Sequence, residues 1–175
     1  MKNTKLIYIV GFLFALSFLI PANGWTQPRP ETKGPIITHA FAVDKGGAYG
    51  YVWKIYIEAE AGNAPMSRIA MVVDEPGYGH YPTDWLIVKP QSQKELKGYI
   101  QWNTKRTQEW TAITLKVSIF DKAGNESNVA FFPFTFESGV KDQYKYRPPA
   151  PFDQGDIPKL GYIGIDLFSP GGGGY

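Results

Sequence analysis

The sequence predicts an all-β protein, a single antiparallel sandwich of about seven strands. Apolar side chains recur at every second position in several segments, which is the spacing of half-buried strands. Gly, Pro, Asn and Asp cluster between these segments, and no long segment shows a helical period. Aromatic residues make up 15% of the chain and cysteine is absent, so the fold must depend on a ring-rich core without disulfides.

The first residues have the layout of a secretory signal peptide, at 1–24. Lys2 and Lys5 precede an apolar run of 15 residues, and the small residues Ala22 and Gly24 place the expected cleavage after Gly24. That run is shorter than the roughly 20 residues that a membrane-spanning helix needs. We therefore expect an exported protein, periplasmic, cell-surface or secreted, and the alternative of a retained membrane anchor stays open.

The charge of the mature chain argues against nucleic acid as a partner. Removal of Lys2 and Lys5 from the 18 basic residues leaves 16, which equals the 16 acidic ones. A nucleic-acid-binding protein usually carries a basic excess or a basic face, and neither is visible. Beyond the signal no apolar run is long enough to span a bilayer, so no stable membrane span is expected after cleavage.

Behind the signal the chain divides into a lead-in, one domain and a tail. Residues 25–34 are polar and proline-bearing and predict an extended lead-in, 35–139 hold the strand pattern, and 140–175 are rich in Pro, Gly and Tyr. Within the domain, strands are predicted at 36–43, 49–60, 67–74, 84–88, 96–103, 111–120 and 128–136. Pro133 has no amide donor and predicts an edge strand or a bulge in the last of them.

The clearest strand is 49–60. Tyr51 and Trp53 lie on one face with the following alternate apolar residues, while Lys54 and Glu58 lie on the other. This pattern is typical of a strand with one buried and one solvated face.

The tail changes character twice. Pro148 to Pro151 favours a polyproline II stretch, and Gly171 to Gly174 favours a flexible end. Between them 160–168, LGYIGIDLF, predicts one possible strand. The sequence leaves open whether this strand pairs with its own domain, with a partner or with nothing, and the favoured hypothesis is that it adds to the edge of a partner's sheet.

A hairpin over 117–132, VSIFDKAGNESNVAFF, joins two alternating apolar segments through polar turn residues. The Asp121 carboxylate is expected to accept hydrogen bonds from turn amides. Gly124 and Asn125 tolerate a positive φ at low cost. All three are therefore predicted to have a structural role in the turn.

This hairpin resembles the last hairpin of bacterial immunoglobulin-like domains, in the order of an apolar strand, Phe120-Asp121-Lys122-Ala123-Gly124-Asn125 and a final apolar strand. The resemblance implies an immunoglobulin-like sandwich over 35–139. In that family such domains serve as spacers, adhesive modules or accessory modules of exported proteins. The chain departs from the family's pattern because it has a single copy of the hairpin and a Pro/Gly-rich tail.

The most unusual segment is 72–85, VVDEPGYGHYPTDW, where aromatic residues surround turn-forming ones. Tyr78, His80, Tyr81 and Trp85 are the ligand-binding candidates, because rings on a loop offer large contact areas for a glycan or a protein. The alternative is a loop whose rings pack on themselves and cap the core.

Catalytic and metal sites are weaker interpretations. Asp74 and Asp84 form an acid and base pair only if the fold brings them across a cleft. Calcium would need Asp44, Asp74, Glu75, Asp84 or Asp121 to converge, and no twelve-residue calcium loop is present. No nucleophile elbow, phosphate loop or histidine pair with metal-ligand spacing occurs, so no catalytic residue, metal or cofactor is predicted.

The sequence thus predicts an exported, non-catalytic immunoglobulin-like module with a structural or protein-interaction role at the cell envelope. Its partner is an unknown envelope protein or a glycan. The alternative is a carbohydrate-binding module that uses the 72–85 segment, and a hydrolase is the remote alternative.

Overall fold

A computed structural model describes residues 33–47, 50–105, 112–135 and 148–167. The predicted signal peptide, most of the lead-in and the glycine run at 171–174 lie outside the described residues. The strands are β1 Ile36–Gly47, β2 Gly50–Glu60, β3 Met66–Glu75, β4 Gly79–His80, β5 Asp84–Ile87, β6 Glu95–Lys105, β7 Ala112–Asp121, β8 Ala130–Thr135 and β9 Lys159–Ile163. Within the described part the helical content is one short 3₁₀ turn, Pro90–Ser92, and the all-β prediction is confirmed. No helix there is long and apolar enough to cross a membrane.

The first sheet contains four strands in the order β1-β2-β6-β9. Its first three strands are antiparallel, and β2 and β6 pair in continuous register with Trp53 opposite Trp102. The predicted alternation of β2 is present, since Trp53, Ile55 and Ile57 are fully buried. β9 departs from the antiparallel expectation because it runs parallel to β6.

The second sheet contains five strands. β3 lies at its centre and pairs with β7 on one side, while β4 and β5 pair with different parts of its other side. β8 pairs with β7 and ends the sheet. Pro133 therefore sits in an edge strand, as its missing amide predicted.

One hydrophobic core joins the two sheets. Trp53 and Ile100 reach it from the first sheet, and Leu115 and Phe134 reach it from the second. Trp53 and Phe134 meet with their rings edge to face across the interior. Burial of each such large side chain contributes about 1.5–3 kcal/mol. The sheets therefore share an interior in the way a β-sandwich requires.

The described part of the tail docks on the first sheet. Phe152 is buried and its ring centroid lies 5.5 Å from that of Tyr56 on β2. β9 then pairs with β6, and Ile163 and Ile165 enter the common core. The hypothesis that this segment adds a strand to a partner is corrected, because its backbone already pairs within the chain.

Two glycines allow the tail to lie close to β6 and β5. A Cβ atom on Gly98 of β6 would stand 2.5 Å from the Leu160 side chain, and one on Gly161 would stand 2.5 Å from Leu86. Real Cβ contacts are longer. At Gly98 the backbone oxygen of Pro158 would also stand 2.8 Å away, so this position requires glycine, whereas at Gly161 the end of the Leu86 side chain would have to shift. Glycine at these positions permits β9 to approach β6 on one side and β5 on the other.

Candidate functional site

The 72–85 segment begins in β3 and ends in β5, and the loop predicted between those strands contains one short additional strand, β4. Its first residues complete β3, a short turn follows, and Gly79–His80 return as β4 against Asp74 and Glu75. Gly77 and Gly79 hold φ values of 84° and 108°, which favour glycine because they have no Cβ. Of the four candidates, His80 and Trp85 thus stand in paired strands, while Tyr78 lies in the turn and Tyr81 follows β4.

Two of the candidate rings stack on each other at this hairpin. The ring centroids of Tyr78 and Tyr81 lie 4.8 Å apart at an interplanar angle of 28°. Tyr81 is only 6% exposed, belongs to the core and donates its hydroxyl to the Glu75 carboxylate. Tyr78 is 53% exposed. Tyr81 therefore supports the hairpin from below, and Tyr78 alone of this pair presents a face to a ligand.

His80 belongs to a charged cluster on the outer surface of the second sheet. Its Nδ1 contacts the Asp74 carboxylate, whose other oxygen pairs with the Lys116 ammonium on β7. Burial acts to raise the pKa of Asp74, but the hydrogen bonds and charges of Lys116 and His80 outweigh it and hold that pKa below its usual value. Asp74 is thus an ionised anchor for the Lys116 ammonium and the His80 imidazole.

Trp85 lies apart from the other candidates. It stands on β5 opposite Ala70 of β3. His80 stands opposite Asp74, four residues further along β3, so Trp85 and His80 are about 13 Å apart along the strand. The Arg68 guanidinium lies 4.3 Å from its ring centroid, and Phe120 meets the ring edge at 5.5 Å. The four predicted residues therefore do not form one aromatic platform.

The Asp84 carboxylate binds two backbone amides. One of its carboxylate oxygens accepts a 2.9 Å hydrogen bond from the Trp85 amide. The other accepts a 2.7 Å bond from the Gly164 amide in the tail. Asp74 and Asp84, the weak alternative for a catalytic pair, are thus each engaged by different partners.

The acidic residues proposed for calcium serve their own local structure. Asp121 accepts hydrogen bonds at 2.8–2.9 Å from the amides of Ala123 and Asn125 and from the Asn125 side chain. Gly124 follows with φ of 85°. Among the described residues no three His, Cys, Asp or Glu side chains gather as a metal site would require. The side chain of Asp44 lies outside the described part.

Sequence reasoning missed an apolar surface on the second sheet. Trp85, Ile87, Val129 and Phe131 all point away from the core and are exposed, Ile87 by 74% and Phe131 by 61%. We call these four residues the outer apolar face. The signal was present in 128–136, because apolar residues occupy both faces of that strand where a solvated face would carry polar ones.

Arg68 and Phe120 lie beside the β5 part of this face. Arg68 pairs across the sheet with Ile87 on one side and with Phe120 on the other. Its guanidinium lies 5.5 Å from the Phe120 ring centroid and closer still to Trp85. A cation held between two rings is preorganised and keeps its charge at the surface.

No protein-family model matches the chain, and no curated protein matches it either.

Proposed function

We propose that the chain is an exported, non-catalytic immunoglobulin-like module that binds a protein partner at the cell envelope. The outer apolar face is the observation that carries this function. Large exposed apolar patches on a soluble domain mark interaction sites. Interfaces are enriched in Trp and Arg at their centres, which is the composition around Trp85 and Arg68.

The order of the strands supports the immunoglobulin-like part of the proposal. In such sandwiches the first, second and fifth strands share one sheet and the third, sixth and seventh share the other. Here β1, β2 and β6 share the first sheet, and β3, β7 and β8 share the second. β4 and β5 then correspond to an extra edge strand beside β3, and β9 takes the remaining place beside β6.

Export is proposed from the sequence of residues 1–24 and places the partner in the envelope. The near-neutral mature chain has no excess charge with which to attract a polyanion. Apolar contact around a fixed guanidinium therefore supplies the recognition, and the expected partner presents an apolar patch with an acceptor for Arg68.

The carbohydrate-binding alternative now depends on Tyr78 and Trp85. Tyr81 contributes through the stack beneath Tyr78 and has little surface of its own. A single exposed ring that is supported by a second ring, as Tyr78 is by Tyr81, can stack on one sugar. Loss of glycan binding in Tyr78→Ala, with the outer apolar face unchanged, would support this alternative over a protein partner.

The proposal is tested by capture of partners from the envelope fraction with the purified protein and with a Val129→Ser/Phe131→Ser variant. We expect the variant to lose the partner. Tyr162→Ser is the matched control, because Tyr162 is 56% exposed and lies on β9 of the other sheet. Equal recovery of the same partner by all three proteins would refute the proposal, and circular dichroism verifies that each variant is folded.

A further inference from the structure

A cavity of about 250 Å³ opens at the seam between the two sheets. Ile69, Leu86 and Val88 line it from the second sheet and the segment after β5, while Leu96 and Leu160 line it from the first. Ligand sites are concave and mostly apolar with a few placed polar groups, and typically enclose about 300–1,000 Å³. This cavity is slightly smaller than that range.

The docked tail completes the cavity. Pro158, Lys159 and Leu160 of the tail form one wall, opposite Leu86 and Val88. Leu86 and Leu160 are only partly buried although both pack against the core. Their exposed apolar surface faces a space that an apolar ligand would fill with favourable burial.

The charges at this cavity have one sign. Lys89 and Lys159 line it together with the polar residues Gln91 and Ser92, and among the described residues that line it there is no Asp or Glu. The Lys159 ammonium donates a 2.6 Å hydrogen bond to the Tyr162 hydroxyl and lies 4.1 Å from the centroid of that ring, which fixes its position. An apolar interior with two lysines beside it, one of them held in place, is complementary to an amphiphile with an anionic head.

We propose that this cavity binds a short fatty acid, with the alkyl chain against Leu86, Val88 and Leu160 and the carboxylate facing Lys89 and Lys159. The volume suits one short chain and is too small for a two-chain membrane lipid. A neutral alcohol of the same length gains the apolar burial but lacks the ion pairs. An alkylammonium ion of the same length is repelled by Lys89 and Lys159, which carry the same charge.

The experiment compares octanoate, octanol and octylammonium as ligands of the purified protein, by nuclear magnetic resonance titration of its amide signals. We expect octanoate to shift signals around Val88, Lys89 and Leu160. It should bind more tightly than octanol by roughly fivefold for each exposed ion pair of about 1 kcal/mol. Octylammonium should bind most weakly.

Lys89→Glu tests the head-group contact without touching the core. The variant should lose most of the preference for octanoate and improve binding of octylammonium. Lys122→Glu is the matched control, because it reverses an equally exposed charge in the β7–β8 turn, away from the cavity lining. It should leave the ranking unchanged.

The proposal is overturned if octanoate shifts no signals at millimolar concentration, if the shifts lie elsewhere, or if Lys89→Glu and Lys122→Glu behave alike. These outcomes are independent of the partner test, because Val129 and Phe131 are not among the residues that line the cavity. A folded Val129→Ser/Phe131→Ser variant should bind octanoate as the unaltered protein does.

Discussion

The indole Nε1 of Trp102 donates a 2.9 Å hydrogen bond to the carbonyl oxygen of Ile165, 63 residues further along the chain. Trp102 is fully buried on β6, and Ile165 is a core residue just beyond β9. The bond therefore lies inside the protein and joins the tail to the domain. A segment that composition alone describes as a Pro/Gly-rich extension is part of the core.

Trp102→Phe should loosen the tail. The substitution removes the indole N–H that donates to the buried Ile165 carbonyl. Loss of this hydrogen bond should lower the free energy of unfolding by about 1–3 kcal/mol. Relative to the unaltered protein, we expect amide hydrogen exchange to accelerate more in 159–165 than in β7, which pairs with β3 and β8. Uniform acceleration in both segments would instead indicate global destabilisation.

Gly161→Val should displace β9. The new Cβ would stand 2.5 Å from the Leu86 side chain, and overpacking of this kind costs about 1–3 kcal/mol. Urea unfolding measures the loss. Gly164→Ala is the control, since its Cβ would lie 3.6 Å from the Asp84 carboxylate, an ordinary contact distance.

A second substitution separates this clash from other effects of the valine. Leu86→Ala removes the atoms that the new side chain would meet, so the double variant should be less destabilised than the sum of the two single changes. Simple additivity would show that the clash with Leu86 is not what destabilises the Gly161→Val variant.

Asp121→Asn should destabilise the protein in a pH-dependent way. Burial acts to raise the pKa of Asp121, but the hydrogen bonds from Asn125, Ala123 and Gly124 outweigh it and lower that pKa. The stabilisation is therefore present above the ordinary value of about 3.9 and is lost as the pH falls from there through the lower folded pKa.

Urea unfolding at neutral pH and in acid checks this linkage. The variant should lose about 1–3 kcal/mol at neutral pH, and the difference from the unaltered protein should shrink in acid. Glu126→Gln removes an exposed carboxylate from the same connection and should show little change. An Asp121→Asn effect that is equal at every pH would contradict the assignment.

Lys116→Met should raise the pKa of Asp74. Lys116 supplies a hydrogen bond and a positive charge that lower this pKa, and His80 remains as the weaker partner. A nuclear magnetic resonance titration of the Asp74 carboxyl measures the change. Lys97→Met is the control, because Lys97 pairs with Glu58 on the other sheet and should leave Asp74 unaffected.

The strands were predictable because their signal is local. Each of the seven predicted segments in 35–139 overlaps an observed strand, since alternation every second residue reports directly on a buried face. β4 was missed because two residues carry no period. The position of Pro133 at an edge also followed from local chemistry, the absence of one amide donor.

The candidate site was less predictable because exposure is not local. Tyr78 and Tyr81 have the same chemistry and lie three residues apart, yet only Tyr78 is well exposed. Their difference arises from the turn at Gly77 and Gly79, which directs one ring outward and lets the other enter the core. The residue types in a short segment do not show which of two such side chains will be buried.

The sequence by itself determined the all-β class, the approximate strand bounds and the turn chemistry of Asp121, because each depends on residues close together along the chain. Only the tertiary structure decided that β9 pairs with β6, that Asp84 binds the tail, and that an apolar face and a lysine-lined cavity exist. These features join segments far apart in sequence. Their energies depend on which surfaces the fold brings together, and no local pattern records that.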